Sequence, residues 1–457
     1  MNRGLAQLKS LIQDHKGTLL IAGVAVVVFL SRLPFVGTGF GRDPDAWRFV
    51  NAAHLIATTH EYHASRPPGY PVPEFVYSLL LLIGSPWLVV VAAVSAVGTA
   101  LFMAIAKICG CRDSLFAGLA LAGAPVVYIN STNAMDYIWA LTFVLAALYC
   151  VLRKHTLAAG ILLGIGVGCR ITSIVMLIPL TIMLLDGRSS RGRNLRDTLT
   201  LWLAALITSG LLYTPVILKY GLGTFTFIDP GYEITVALEL AGVGVWGTLG
   251  LGAIFLGICA SVIISLARSR SRLNISDALR NRHVVTWLTT IVLYFALFFR
   301  LPGEAGYLLI TVPFVVLVLA RTLKRTVFII ICVLIAASSF VEINRTGIFP
   351  GPILQNRHVR KYHLMNAILA VQVADDLKSD KFVIVAGPMA PQLQALRYLE
   401  GVPDERKTVY FVDEIDLREL ERHLESGFEV YICTARVPPQ TAGCYRRIAE
   451  KRSQTAG

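Results

Sequence analysis

Asp43 and Asp45 stand two residues apart in the run Gly41-Arg42-Asp43-Pro44-Asp45-Ala46-Trp47. Two acids so placed, with a proline between them, can converge on a divalent cation such as Mg or Mn, or on one substrate hydroxyl. A carboxylate that is partly desolvated near a membrane surface titrates late, which suits a general base. The plainer alternative is a solvated acidic turn, with Asp45 capping a helix over 46–58. A second candidate follows in Glu61-Tyr62-His63-Ala64-Ser65-Arg66-Pro67-Pro68-Gly69-Tyr70-Pro71. Its prolines stiffen the backbone and could aim Arg66 and His63 at a phosphate, which arginine binds bidentately and always in its charged form. Otherwise the segment is a turn feeding the next helix. His54, His60 and His63 do not complete a tetrahedral zinc set.

Three further places carry charge where apolar sequence surrounds it. Asp136 follows Asn130-Ser131-Thr132-Asn133, and Arg170 interrupts a long apolar stretch. Arg300, Glu304 and Tyr307 share the short segment Arg300-Leu301-Pro302-Gly303-Glu304-Ala305-Gly306-Tyr307. Ionisable groups inside a membrane are costly and usually functional. For Asp136 and Arg170 the alternative is a buried ion pair that locks helices together.

The elements that must position these residues are membrane helices. The chain has 457 residues, 55% hydrophobic and 16% charged, with a mean hydropathy of +0.63. A soluble domain carries about a quarter charged residues. Apolar runs long enough to cross about 30 Å of hydrocarbon recur along the chain, and backbone in lipid must satisfy itself as helix. Eleven spans are expected, at about 18–36, 87–109, 115–131, 134–152, 157–168, 171–186, 199–218, 246–267, 284–299, 306–321 and 326–341. The first is long and lacks a small-residue cleavage site, so it is expected to be retained.

Charge chooses the topology. The fifth and sixth spans are either one long tilted helix or a hairpin turning near Arg170. With the hairpin, most Lys and Arg outside the tail fall on one side, the basic loop 187–197 included, and the positive-inside rule makes that side cytoplasmic. The net charge of +13 therefore reflects topology, and no nucleic-acid partner is expected. The N-terminus is then cytoplasmic, the tail extracytoplasmic, and the candidate residues share one side of the membrane. Gly160, Gly164 and Gly168 lay a flat strip on one helix face that lets another helix approach closely.

Three parts lie outside the membrane: the polar loop 37–86, the segment 219–245, of which 233–245 is suited to the interface, and the tail. The expected division is a transmembrane module at 1–341 and a small α/β domain at 342–457. In the tail, strands at 381–386, 408–412 and 429–433 alternate with helices at 388–400 and 414–426, as a small parallel sheet requires. No glycine-rich phosphate loop opens those helices, so no nucleotide site is expected. Cys433 and Cys444 could pair as a disulfide or stand as two free thiols.

The ordered set resembles the C-type superfamily of membrane glycosyltransferases, in particular the protein O-mannosyltransferases and lipid A aminoarabinose transferases. The likeness covers spans one to ten. An acidic motif follows the first span, "SRPPGYP" precedes the second, Asp136 opens the fourth in "NSTNAMDYIWAL", and "GILLGIGVGCRITSIVMLIPL" is followed by "RLPGEAGYLLITVP". The resemblance implies transfer of a hexosyl or pentosyl group from a polyprenyl- or dolichyl-phosphate donor to a hydroxyl on a lipid, glycan or protein. The transfer would occur on the non-cytoplasmic face, with inversion, in a bacterial or archaeal plasma membrane. Asp43 or Asp45 would deprotonate or orient the acceptor. Arg66, Arg170 or Arg300 would hold the lipid phosphate, and His63, Tyr70, Asp136, Glu304 and Tyr307 would complete the substrate pocket. Pro44 separates the acids where the family motif often reads Asp-Glu or Asp-Asp, so either can be the base. The rival reading is a transporter or flippase for a lipid-linked or anionic substrate. Transporters commonly show internal repeats, and the two halves of this chain show none.

Overall fold

The glycine strip fixes one of the closest helix contacts in the protein. In the computed structural model, a Cβ built on Gly160 would stand 2.6 Å from the Ala204 Cβ, and one on Gly164 would stand 2.6 Å from the Thr208 Cβ. One on Gly168 would stand 2.8 Å from both Leu212 and Val72. The Thr156–Cys169 helix thus lies against the Arg191–Tyr220 helix with no side chain between the backbones, the use of small residues that membrane helices favour.

The structure describes residues 2–84, 86–185, 190–226, 233–267, 281–375, 380–399, 408–412, 415–433 and 445–449. Among these, 5 helices are long and apolar enough to cross a membrane: Gly17–Phe35, Trp87–Ile108, Arg191–Tyr220, Ile234–Ala260 and Arg282–Arg300. Shorter apolar helices of 10–17 residues fall at most of the other expected spans, and Pro71–Leu82 adds one where no span was expected. Exposed leucines and valines such as Leu20, Val27, Leu203, Leu211 and Leu256 coat these helices, as lipid-facing surface should be. The chain is an integral membrane protein.

Two breaks have local causes. The helix expected over 115–131 divides into Ser114–Gly123 and Pro125–Asn130, with Ala124 extended between them. Pro125 has no N–H to continue the ladder and disfavours helix at the residue before it. Arg32, only 2% exposed, donates Nη2–H to the Ala122 carbonyl and Nε–H to Ser131 at 3.0 Å, with its guanidinium 3.8 Å from the Tyr128 ring centre. Ser339 Oγ–H donates to the Gly123 carbonyl at 2.6 Å. The Ala122 and Gly123 carbonyls, left without helical partners at the break, are therefore satisfied inside the protein.

The second break is at Arg170. Its backbone is extended (φ −156, ψ 116) between the Thr156–Cys169 helix and a 3₁₀ turn over Ile171–Met176, which leads into the Leu177–Leu184 helix. Thr156 from the start of this stretch and Leu184 from its end line one cavity with Lys154, Arg193 and Arg282. The two ends of the stretch therefore meet, as a hairpin requires, and basic residues gather where they do.

The described residues form two compact units. One comprises 1–36, 70–73 and 86–356, and the other 37–69, 74–85 and 357–457. The first outer loop thus clusters with the tail. In the first unit, the strands Val341–Asn344 (β1) and Gly347–Pro350 (β2) form an antiparallel hairpin after the last apolar helix. The second unit holds a sheet of Lys381–Val385 (β3), Thr408–Val412 (β4), Glu429–Cys433 (β5) and Tyr445–Ala449 (β6). Its order is β4-β3-β5-β6, parallel except for β6. Helices Ala390–Leu399 and Leu417–Glu425 connect the parallel strands. Strands β3, β4 and β5 and both helices lie where the alternation of the sequence places them. The hairpin, the Pro352–Asp375 helix and β6 had no such signal. The Cys433–Cys444 question falls at Cys444, outside the described residues.

Candidate active site

The acidic motif opens a helix, and the first acid is its cap. The helix runs Pro44–Thr59, with Pro44 at its first position and Asp43 as N-cap, the asymmetry expected of a helix start. Asp43 Oδ1 accepts the Asp45 amide at 2.8 Å. The cap is therefore Asp43 and not Asp45, because the proline pre-sets the helical φ one residue earlier than the apolar pattern suggests. Asp45 is thereby released to hold side chains. Its Oδ1 accepts from Arg48 Nη1 at 2.8 Å and its Oδ2 from Arg66 Nε at 3.0 Å. Burial pushes the Asp43 carboxyl above its ordinary value; the Asp45 charge adds to that, while the Asp45 amide bond and the Arg66 and Arg48 charges oppose it.

The helix is packed from the tail side of its own unit. Trp47 Nε1–H donates to the Gly41 carbonyl at 3.0 Å, Arg360 donates to the Gly39 carbonyl, Asn51 donates to the Pro391 carbonyl at 3.0 Å, and His54 stacks on Tyr398. Gly39 takes φ +86 with the Trp47 ring 3.2 Å from where a Cβ would sit, so only glycine suits that turn.

The second candidate loop is organised by a residue the sequence reading passed over. Glu74 is fully buried. It accepts from the Tyr62 hydroxyl, the Ser65 amide at 2.7 Å and the Ser65 hydroxyl at 2.7 Å. The loop so tied presents Arg66, whose guanidinium lies 5.4 Å from the Phe49 ring centre, and includes the cis Pro67–Pro68 bond. His63 is half-buried in it. A signal was available: Glu74 is the one acid in the apolar helix Pro71–Leu82, and an acid in such a setting needs internal partners. Replacing Glu74 with Leu should leave three donors without acceptors. At about 1–3 kcal/mol for each buried unsatisfied group, a clear fall in melting temperature is expected, which a thermal unfolding scan checks.

In the other unit the remaining candidates gather around Arg170. Asp136 is 0% exposed, and its Oδ2 accepts from Arg170 Nη1 at 2.7 Å. The rings of Tyr137 and Tyr307 each lie 4.4 Å from the guanidinium carbon, a stacking that arginine tolerates and lysine does not reproduce. Tyr137 donates its hydroxyl to Glu304 at 2.6 Å. Tyr70 is buried and feels the Arg170 charge. Gly306 lets the Tyr137 ring approach: a Cβ there would stand 2.9 Å from it. Tyr137, not singled out from sequence, thus joins Asp136, Arg170, Glu304 and Tyr307. Arg300 is exposed at the end of the Arg282–Arg300 helix.

Asp43 and Asp45 offer carboxylate oxygens within 4.8 Å of each other, a spacing that Mg or Mn accepts. Both Asp45 oxygens already carry a guanidinium hydrogen bond, so a cation would share that carboxylate with two arginines.

No protein-family model matches the chain, and no curated protein matches it. Solved structures do, two of ArnT among them. ArnT from Cupriavidus metallidurans bound to undecaprenyl phosphate matches with a TM-score of 0.58 at 13% identity, covering 92% of this chain and 94% of that one. The apo state of the same protein matches with a TM-score of 0.58 at 14% identity, covering 93% and 94%. Over more than nine-tenths of its length, this membrane chain is similar in fold to ArnT, as the resemblance to the aminoarabinose transferases implied.

Proposed function

We propose that this chain transfers a sugar from a polyprenyl-phosphate donor to an acceptor hydroxyl. The observation that carries the reading is the division of labour between the two acids. Asp43 is uncommitted to any guanidinium hydrogen bond among those described, and burial raises its carboxyl above the ordinary value. Asp45 is clamped between Arg48 and Arg66. A base and a fixed guanidinium within one loop are what this transfer requires. The fold shared with a protein bound to undecaprenyl phosphate supports a polyprenyl-phosphate donor.

In the proposed step the acceptor oxygen attacks the anomeric carbon as Asp43 takes its proton. The bond from that carbon to the phosphate oxygen breaks, and the electron pair leaves with the lipid phosphate. Arg66 stabilises that charge as it builds, an interaction stronger in the transition state than before it. In the other unit, Arg170 Nε is buried with no hydrogen-bond partner among the described residues, and a phosphate oxygen bound there would satisfy it. A single displacement inverts the anomeric centre. A divalent cation held by Asp43 and Asp45 would add further positive charge. The reaction is assigned to the non-cytoplasmic face of a bacterial or archaeal plasma membrane, with the N-terminus cytoplasmic.

The test is incubation of the purified protein with radiolabelled polyprenyl-phosphate sugars and membrane lipid extract. Label should move to an acceptor, with free polyprenyl phosphate as co-product. Parallel reactions with EDTA, then with added Mg or Mn, measure the contribution of a cation. Absence of transfer from every polyprenyl-phosphate sugar would overturn the proposal.

A further inference from the structure

The β1–β2 hairpin has one apolar face. Its register pairs Val341 with Pro350 and Ile343 with Ile348, and side chains alternate across a strand, so these four share a face. The opposite face carries Glu342, Asn344, Gly347 and Phe349. Ile343 is 45% exposed and Ile348 75%. A two-stranded hairpin is marginal by itself in water, and this one leaves its larger apolar side chains uncovered.

Its depth follows from the helix before it. The Arg325–Ala337 helix has 13 residues, which rise about 20 Å, against about 30 Å of hydrocarbon. Its start is marked by exposed Arg325, paired with Asp113 at 2.9 Å, so the start lies at a membrane surface. The hairpin opens four residues after the helix ends, within the opposite leaflet. Exposed Ile330 and Val333 continue the lipid-facing surface up to it. The Ile343 amide donates to Thr248 Oγ1 at 3.2 Å, just beyond the segment in which Ile234, Val236 and Leu238 are exposed.

We infer that the hairpin is a membrane-interface anchor. Val341, Ile343, Ile348 and Pro350 lie in the acyl-chain boundary of the bilayer, and Asn344 and Glu342 lie in the headgroup water. The polar turn Asn344-Arg345-Thr346-Gly347 meets the phosphates with Arg345. The anchor fixes the level at which the chain leaves the membrane for the Pro352–Asp375 helix. It also accounts for the apolar side chains, since burial in the interface removes their apolar surface from water.

The experiment places a spin label, through a genetically encoded ketone amino acid, at Ile348, Ile343 or Asn344 of the full chain. The protein is held in phosphatidylethanolamine–phosphatidylglycerol vesicles. The native cysteines remain in place. Labels at 348 and 343 should relax more with oxygen than with a water-soluble nickel chelate, and the label at 344 should show the reverse. Two positions guard against one label disturbing the hairpin. Greater relaxation by nickel at both 343 and 348 would put the face in water. Access by neither reagent would put it under protein. Either result overturns the inference.

Discussion

Asp43→Asn should lower kcat by about 10²–10⁴-fold, the usual contribution of a positioned general base, while leaving the melting temperature nearly unchanged. Asparagine caps a helix as well as aspartate does, so the 2.8 Å bond from the Asp45 amide survives and only the proton acceptor is lost. Asp45→Asn should behave differently. It removes the anion that fixes Arg48 and Arg66, so its main effect should be a rise in donor KM of about tenfold, the equivalent of one charge-assisted hydrogen bond at about 1.4 kcal/mol. Steady-state kinetics on both variants separate the roles. A larger kcat loss in Asp45→Asn than in Asp43→Asn would exchange the assignments.

The pH profile gives the same assignment a second readout. Burial raises the Asp43 carboxyl above its ordinary value, and the base works only when ionised. The acid limb of kcat/KM should therefore lie above that of an ordinary aspartate. Arg48→Gln removes one of the charges that hold Asp43 down and should move that limb further up. The linkage sign is consistent. A carboxyl raised by folding favours the protonated native state, so ionising it costs stability as pH rises through the interval between its ordinary and raised values. Asp43→Asn removes that cost, and the variant should be no less stable than the parent above that interval.

Arg170→Met should be among the most destabilising single changes in the protein, costing about 3–5 kcal/mol, because it strands a buried charge. Asp136 is 0% exposed, and Arg170 is its partner at 2.7 Å. The double variant Asp136→Asn with Arg170→Met should recover much of the loss, since replacing both partners removes the uncompensated charge. The cycle of single and double variants isolates their coupling, which should reach about 1–3 kcal/mol for residues in direct contact. Arg170→Lys keeps the charge but not the planar stack between Tyr137 and Tyr307, and should fall between the two. Thermal unfolding in detergent micelles ranks the parent and the four variants. If Arg170→Met unfolds at the temperature of the parent, the pair does not hold these helices together.

Much of this architecture could be read from residue order, because bilayer physics leaves few options. Apolar runs had to be helices, Gly160, Gly164 and Gly168 had to sit against another helix, and alternating patterns in the tail had to be strands and helices. The chain break at Arg170 and the candidate residues themselves were visible for the same reason: a charge in apolar sequence stands out. Where a pattern ended was less visible. The cap at Asp43 and the division at Pro125 depend on proline geometry that overrides hydrophobic periodicity by a residue or more.

Sequence by itself determined that this is a membrane-embedded helical protein with acids and arginines in otherwise apolar or rigid settings. Tertiary structure decided which of them meet. Glu74 ties Tyr62 and Ser65, Asp45 takes Arg66, Asp136 takes Arg170, and Tyr137 bonds Glu304 across 167 residues of chain. The physical reason is that periodicity is a local property, written in the spacing of neighbouring residues. The partner of a buried charge is chosen by the three-dimensional need to satisfy it, at any distance along the chain.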